Sequence, residues 1–124
     1  MKEDQSMIRV LIVDDSQVAC ELLEAILRSD PDINVVGIAR GGHDAIQQAK
    51  LLRPDVITMD LHMPDIDGIT ATEEIMIVQP TPIVIVSASL SVTEVDTSMR
   101  ALAAGALTVR LNARRATSIR SDFA

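Results

Sequence analysis

Aromatic side chains are almost missing: Phe123 is the only Phe, Tyr or Trp among 124 residues. A core built on stacked rings is therefore excluded, and packing must rest on Ile, Val, Leu, Ala and Met. Cysteine is equally scarce. Cys20 stands alone, so no disulfide can form within the chain, and a reducing, cytoplasmic setting is expected. Basic residues are outnumbered, with 11 Lys and Arg against 18 Asp and Glu and a net charge of -7. Nucleic acid is an improbable partner, because affinity for it comes from basic residues neutralising phosphates. Docking on an anionic membrane is disfavoured on the same ground. The longest apolar runs, such as residues 10–13 and 83–86, are far too short to span a bilayer, and the charged residues 1–6 do not resemble a secretory leader.

What is present suffices for one domain. The chain is 48% hydrophobic, enough at this length to bury a real core. We expect a single domain over residues 1–124, with a core at 7–112 and an atypical segment at 113–124.

Short aliphatic runs occur at residues 8–13, 35–39, 56–59, 83–86 and 107–109. They are continuously apolar rather than alternating, which is the pattern of strands covered on both faces. Helical spacing lies between them. Ala19, Leu22, Leu23, Ile26 and Leu27 form one face; Ala45, Ile46, Ala49 and Leu52 a second; Ile69, Thr72, Ile75 and Met76 a third; Val95, Met99, Leu102 and Ala103 a fourth. The fourth opens with the capping-box pattern Ser91-Val92-Thr93-Glu94 and closes at Gly105. This alternation predicts right-handed crossovers and a parallel sheet flanked by helices. After Val109 the composition changes: residues 110–120 hold four arginines, and Ala113, Ala116 and Ile119 make only a thin apolar stripe. A last helix there would be weak.

Parallel sheets of this kind bind ligands beyond the carboxyl ends of their strands. The first run ends in Asp14-Asp15, the third in Asp60 and the fourth in Ser87. Three carboxylates are thus expected on one rim. At about 4 Å and an effective dielectric near 20, each pair repels by roughly 4 kcal/mol. Either a proton or a cation must relieve that. An all-oxygen ligand set suits Mg2+ or Mn2+ rather than zinc. The competing reading is plainer: Asp14-Asp15-Ser16 after a strand could simply cap the next helix.

Several stretches together resemble the receiver domains of two-component response regulators. They are Val10-Leu11-Ile12-Val13-Asp14-Asp15-Ser16, Pro54-Asp55-Val56-Ile57-Thr58-Met59-Asp60-Leu61-His62-Met63-Pro64, Asp67-Gly68, Ile83-Val84-Ile85-Val86-Ser87-Ala88 and Ala104-Gly105-Ala106. Residues 29–37 and 80–87 look most like the receiver half of chemotaxis methylesterases. The resemblance implies a flavodoxin-like, doubly wound α/β fold, with five parallel strands in the order 2-1-3-4-5 and helices on both faces. It implies that Asp60 accepts a phosphoryl group from a histidine kinase or phosphotransfer protein. It further implies that Asp15 and Asp60 bind Mg2+ or Mn2+ directly, with Asp14 helping through water and the His62 backbone carbonyl as a further ligand, and that Ser87 hydrogen-bonds the phosphoryl group. The kinase partner would dock near Gln17, Cys20 and Glu21. Because Ala19 and Leu22/Leu23 define the buried side of that helix, Cys20 is expected to be an inert thiol facing solvent. Output would pass to a downstream protein through the fourth helix and fifth strand.

The chain departs from the family pattern at two positions. Where receivers carry a lysine that pairs with the phosphoryl group, counting from Ala106 reaches Asn112, and Lys2 and Lys50 are the only lysines. The aromatic switch position falls on Val109. The leading reading is a phospho-accepting signalling domain with divergent switching, monomeric or weakly dimeric, and not itself an enzyme. Two alternatives stay open: the receiver portion of a protein-glutamate methylesterase, and a phosphorylation-independent interaction module.

Overall fold

The computed structural model describes residues 7–87 and 107–110, the latter strand and Ser87 by their backbone alone. In chain order the elements are β1 (Ile8–Val13), α1 (Gln17–Arg28), β2 (Ile33–Ala39), α2 (Gly42–Leu52), β3 (Val56–Met59), α3 (Gly68–Val78), β4 (Ile83–Ser87) and β5 (Leu107–Arg110). They form one five-stranded sheet in the order β2-β1-β3-β4-β5, with every neighbouring pair parallel. The expected order is the observed one. The expected fourth and fifth helices, including the capping box at Ser91, lie outside the described residues.

The strands that read as unbroken apolar runs are the central ones. All four residues of β3 are buried, as are the last four of β1. β2, at the edge, mixes buried and exposed positions, and it starts earlier than residue 35 because Ile33 pairs with Ile8. Alternate residues of each strand serve opposite layers. Val10 and Ile12 join Val56, Val84 and α1's Cys20, Leu23 and Leu27 on one face. Leu11, Val13, Ile57, Met59, Ile83 and Ile85 join Ala45 and Ala49 of α2 and Ile69, Ala71 and Ile75 of α3 on the other. The described helices thus lie on both faces, as a doubly wound sheet requires.

One helix face is corrected. The sequence spacing placed Ala19 and Leu22 inward and Cys20 in solvent; the structure buries Cys20 to 3% exposure and leaves Leu22 51% and Val18 75% exposed. Cys20, Leu23 and Leu27 stand at i, i+3 and i+7, one helical stripe, and Leu22 lies roughly 100° around from Leu23. The Cys20 thiol donates to the Asp14 carbonyl at 3.3 Å, and burial pushes its pKa up. A thiol so placed is a poor nucleophile. We therefore expect Cys20 to resist an aromatic disulfide reagent in the native protein and to react fully once unfolded in guanidinium. Rapid native labelling would contradict the burial.

Candidate metal and phosphoacceptor site

Backbone pairing at the head of the sheet sets the site. The Asp14 N–H donates to Ala39 O (3.0 Å) and the Asp60 N–H to Val13 O (2.9 Å), so each aspartate extends its strand's ladder by one bond before the chain turns away. Both side chains are half-buried and Asp15 is exposed. One ligand oxygen from each of Asp14, Asp15 and Asp60 can be chosen so that all lie within 4.8 Å of one another. The sequence-predicted cluster is therefore assembled.

The capping reading of Asp14-Asp15-Ser16 now resolves by residue. Ser16 caps α1, its hydroxyl accepting from the Ala19 N–H at 3.2 Å. Asp14 accepts from the Ser16 N–H at 2.9 Å with Oδ1, a bond that fixes the turn and faces the carboxyl toward the cluster. Capping and clustering coexist because different residues perform them.

The electrostatics match a crowded acid site. Burial, then the neighbouring Asp14 charge, pushes the Asp60 carboxyl up to about 6, against the His62 N–H that donates to its Oδ1 at 3.3 Å. Burial also raises Asp14, opposed by the Ser16 N–H. At neutral pH a cation among the three carboxylates would offset the repulsion between the ionised groups. Three oxygen donors with room for water fit a hard divalent ion such as Mg2+.

Ser87 ends β4, one residue beyond the expected strand. Met59 pairs with Ile85 in the ladder, so Asp60 and Ser87 stand at the carboxyl ends of adjacent strands. Val109 pairs with Val86 and Arg110 with Ser87, which puts an arginine in register beside the hydroxyl residue. Asn112 lies outside the described residues.

Two contacts were not anticipated from the sequence. Arg40, just past β2, donates to the Asp15 carbonyl through Nη2 (2.7 Å) and Nε (3.2 Å). Asp65 accepts from the Gly42 and His43 N–H groups, each at 2.9 Å, and these bonds hold its carboxyl far below the usual carboxylate range. For the second, the only hint lay at the helix end and not at Asp65 itself. α2 opens on Gly41 with no side-chain cap, so its first N–H groups needed an acceptor from elsewhere.

The residues at 10–117 match the family model of the response regulator receiver domain. A protein-glutamate methylesterase/protein-glutamine glutaminase of Syntrophus aciditrophicus is 55% identical over 103 residues, which is 83% of this chain and 29% of that protein. The corresponding protein of Nitrosospira multiformis is also 55% identical, with the same shares of 83% and 29%. The chain thus spans under a third of the length of the curated relatives it matches. Among solved structures, the response regulator domain of Thermotoga maritima CheB aligns with a TM-score of 0.84 and 36% identity, covering 94% of this chain and 92% of that one. The CheX-CheY-BeF3-Mg+2 complex from Borrelia burgdorferi gives a TM-score of 0.81 and 28% identity over 98% and 93% of the respective chains.

Proposed function

The chain belongs to the response regulator receiver domain family, similar to the receiver part of chemotaxis methylesterases, and from that premise we propose that Asp60 is its phosphoacceptor. The convergence of Asp14, Asp15 and Asp60 within 4.8 Å carries this reading. The three carboxylates and the His62 backbone carbonyl would hold Mg2+ or Mn2+. When bound, the cation supplies positive charge that offsets both the clustered carboxylates and an incoming phosphoryl group.

Within the chain the roles divide. The Asp60 carboxylate attacks phosphorus; a new O–P bond forms as the P–N bond of a donor phosphohistidine breaks, and the proton needed by the departing imidazole comes from solvent. The His62 N–H holds one Asp60 oxygen, which limits rotation of the carboxylate and keeps it oriented for attack. Ser87 donates a hydrogen bond to the transferred group. The partner is a histidine kinase or phosphotransfer protein, and the output is a contact with a second protein. With Asn112 and Val109 at the switch positions, acceptance is retained and the surface response differs from the family pattern.

The 55% identity to methylesterases supports a second, compatible assignment: this receiver acts as the regulatory part of an esterase of that kind, whose hydrolytic chemistry resides in residues other than these.

The test is direct. Wild-type chain, Mg2+ and beryllofluoride or a small acyl phosphate are mixed and followed by intact mass and amide spectra. One adduct per chain, dependent on Mg2+ and localised to Asp60, is expected. Its absence would sink the acceptor reading and leave an interaction module that works without phosphorylation.

A further inference from the structure

Three carboxylates on two loops push those loops apart. Asp14 and Asp15 belong to the β1–α1 loop and Asp60 to the β3–α3 loop, and like charges brought within 4.8 Å of one another repel across the gap. Something must hold the loops together before a cation arrives. The head of α2 touches both. Arg40 grips the Asp15 carbonyl with two guanidinium N–H groups. Two residues on, the Gly42 and His43 N–H groups receive the two oxygens of Asp65, in a fork spanning 23 and 22 residues of sequence.

The seat is shaped for that loop. A Cβ at position 42 would stand 2.3 Å from Ile66 Cγ1 and 3.0 Å from the Ile66 backbone oxygen, so only glycine admits residues 65–66 this closely. Negative charge at a helix N-terminus is favoured by the helix dipole, and here the charge comes from another loop because Gly41 offers no side-chain cap.

We propose that Asp65 is a positioning residue for the acceptor site: by clamping the β3–α3 loop to the head of α2, where Arg40 also holds Asp15, it sets the spacing of Asp60 from Asp14 and Asp15. Residues 40–43 thereby act as a bracket between the two carboxylate-bearing loops. This deepens the acceptor reading and rests on it. Asp65 touches no substrate; it acts through the loop that it anchors.

The experiment compares wild type, Asp65→Asn, Asp65→Ala and the core control Val35→Ala, all as the full chain, with Mg2+ and beryllofluoride as probes. Mg2+ binding is read by titration calorimetry and by amide shifts at Asp14, Asp15 and Asp60. Supporting groups one step removed from a metal typically change its affinity by 10–100-fold. Asp65→Ala is expected to weaken Mg2+ at least about ten-fold and to move the Gly42, His43 and His62 amides. Asp65→Asn, which keeps one accepting oxygen, should fall between. Val35→Ala destabilises the core on the α1 face and should leave Mg2+ affinity unchanged, separating positioning from loss of stability. Wild-type affinity in Asp65→Ala, or an equal loss in Val35→Ala, would overturn the proposal. Failure of the acceptor reading looks different: wild type would bind Mg2+ and refuse beryllofluoride, while the affinity comparison still decides the bracket. A wild type that binds neither would overturn both.

Discussion

Asp60→Asn is expected to do two opposite things, abolishing phosphoryl and beryllofluoride adducts while making the metal-free protein more stable at neutral pH. The first follows because an amide is not a nucleophile toward phosphorus. The second follows from the charge environment. The Asp60 carboxyl is pushed from an ordinary 3.8 to about 6 in the folded chain, so the folded state holds its proton more tightly than the unfolded state does. Stability is then fullest below about pH 4, falls as pH rises through about 6, and stays low above that. Asp14 is raised as well and adds in the same direction.

A shift of this size corresponds to about 3 kcal/mol unscreened at 1.36 kcal/mol per unit, and partial exposure of the carboxyl reduces that to about 1–2 kcal/mol. For a chain of this length we expect Asp60→Asn to gain roughly 4–8 °C in melting temperature at pH 7 in chelator. At pH 4 the gain should vanish. Mg2+ should stabilise wild type much more than the variant. Thermal unfolding monitored by circular dichroism at both pH values, with and without Mg2+, decides the matter. A gain independent of pH would mean that charge repulsion is not its source. Function here opposes stability: the site holds an ionisable cluster that the fold alone would shed.

Why the acid rim was legible, and the clamp beside it was not, is a matter of range. Strand ends can be read from where an apolar run stops, and Asp14, Asp15 and Asp60 each follow such a stop. Central strands announce themselves because both faces are covered; β1 and β3 were found to the residue. The face of α1 was misread for the opposite reason. Val18, Ala19, Cys20, Leu22, Leu23, Ile26 and Leu27 spread apolar character over more than one stripe, so hydrophobicity alone leaves the rotation open and packing against Val10 and Ile12 selects it. Asp65 gave no local pattern at all, because a carboxylate that caps a helix 22 residues away looks like any polar residue in a loop.

The Asp67-Gly68 pair shows how a motif read as family likeness becomes a physical requirement, and it carries the other large expected effect. Asp67 caps α3, its Oδ1 accepting from the Thr70 N–H at 2.7 Å. Gly68 returns its own N–H to Leu61 O at 2.9 Å, closing the acceptor loop at its base. A Cβ on residue 68 would sit 2.3 Å from the Asp60 carbonyl oxygen, 2.9 Å from Leu61 Cα and 3.1 Å from the Asp60 carbonyl carbon. All three are backbone atoms, so no rotamer change can relieve the clash. Gly68→Ala sets two effects against each other. Alanine's better helix propensity offers at most about 1 kcal/mol, and less at a helix start. Forcing a methyl group into close-packed surroundings costs about 1–3 kcal/mol, and here the yielding part is the backbone of the acceptor itself. The clash wins. We expect a fall of about 2 kcal/mol in unfolding free energy, seen as a lower denaturant midpoint with an unchanged slope. We also expect the variant, still folded at low temperature, to lose Mg2+-dependent adduct formation at least ten-fold, the range seen when groups one step from a metal are disturbed. Full activity with reduced stability would show that α3 gives way rather than the Asp60 loop, and that the loop's position is set from the α2 side alone.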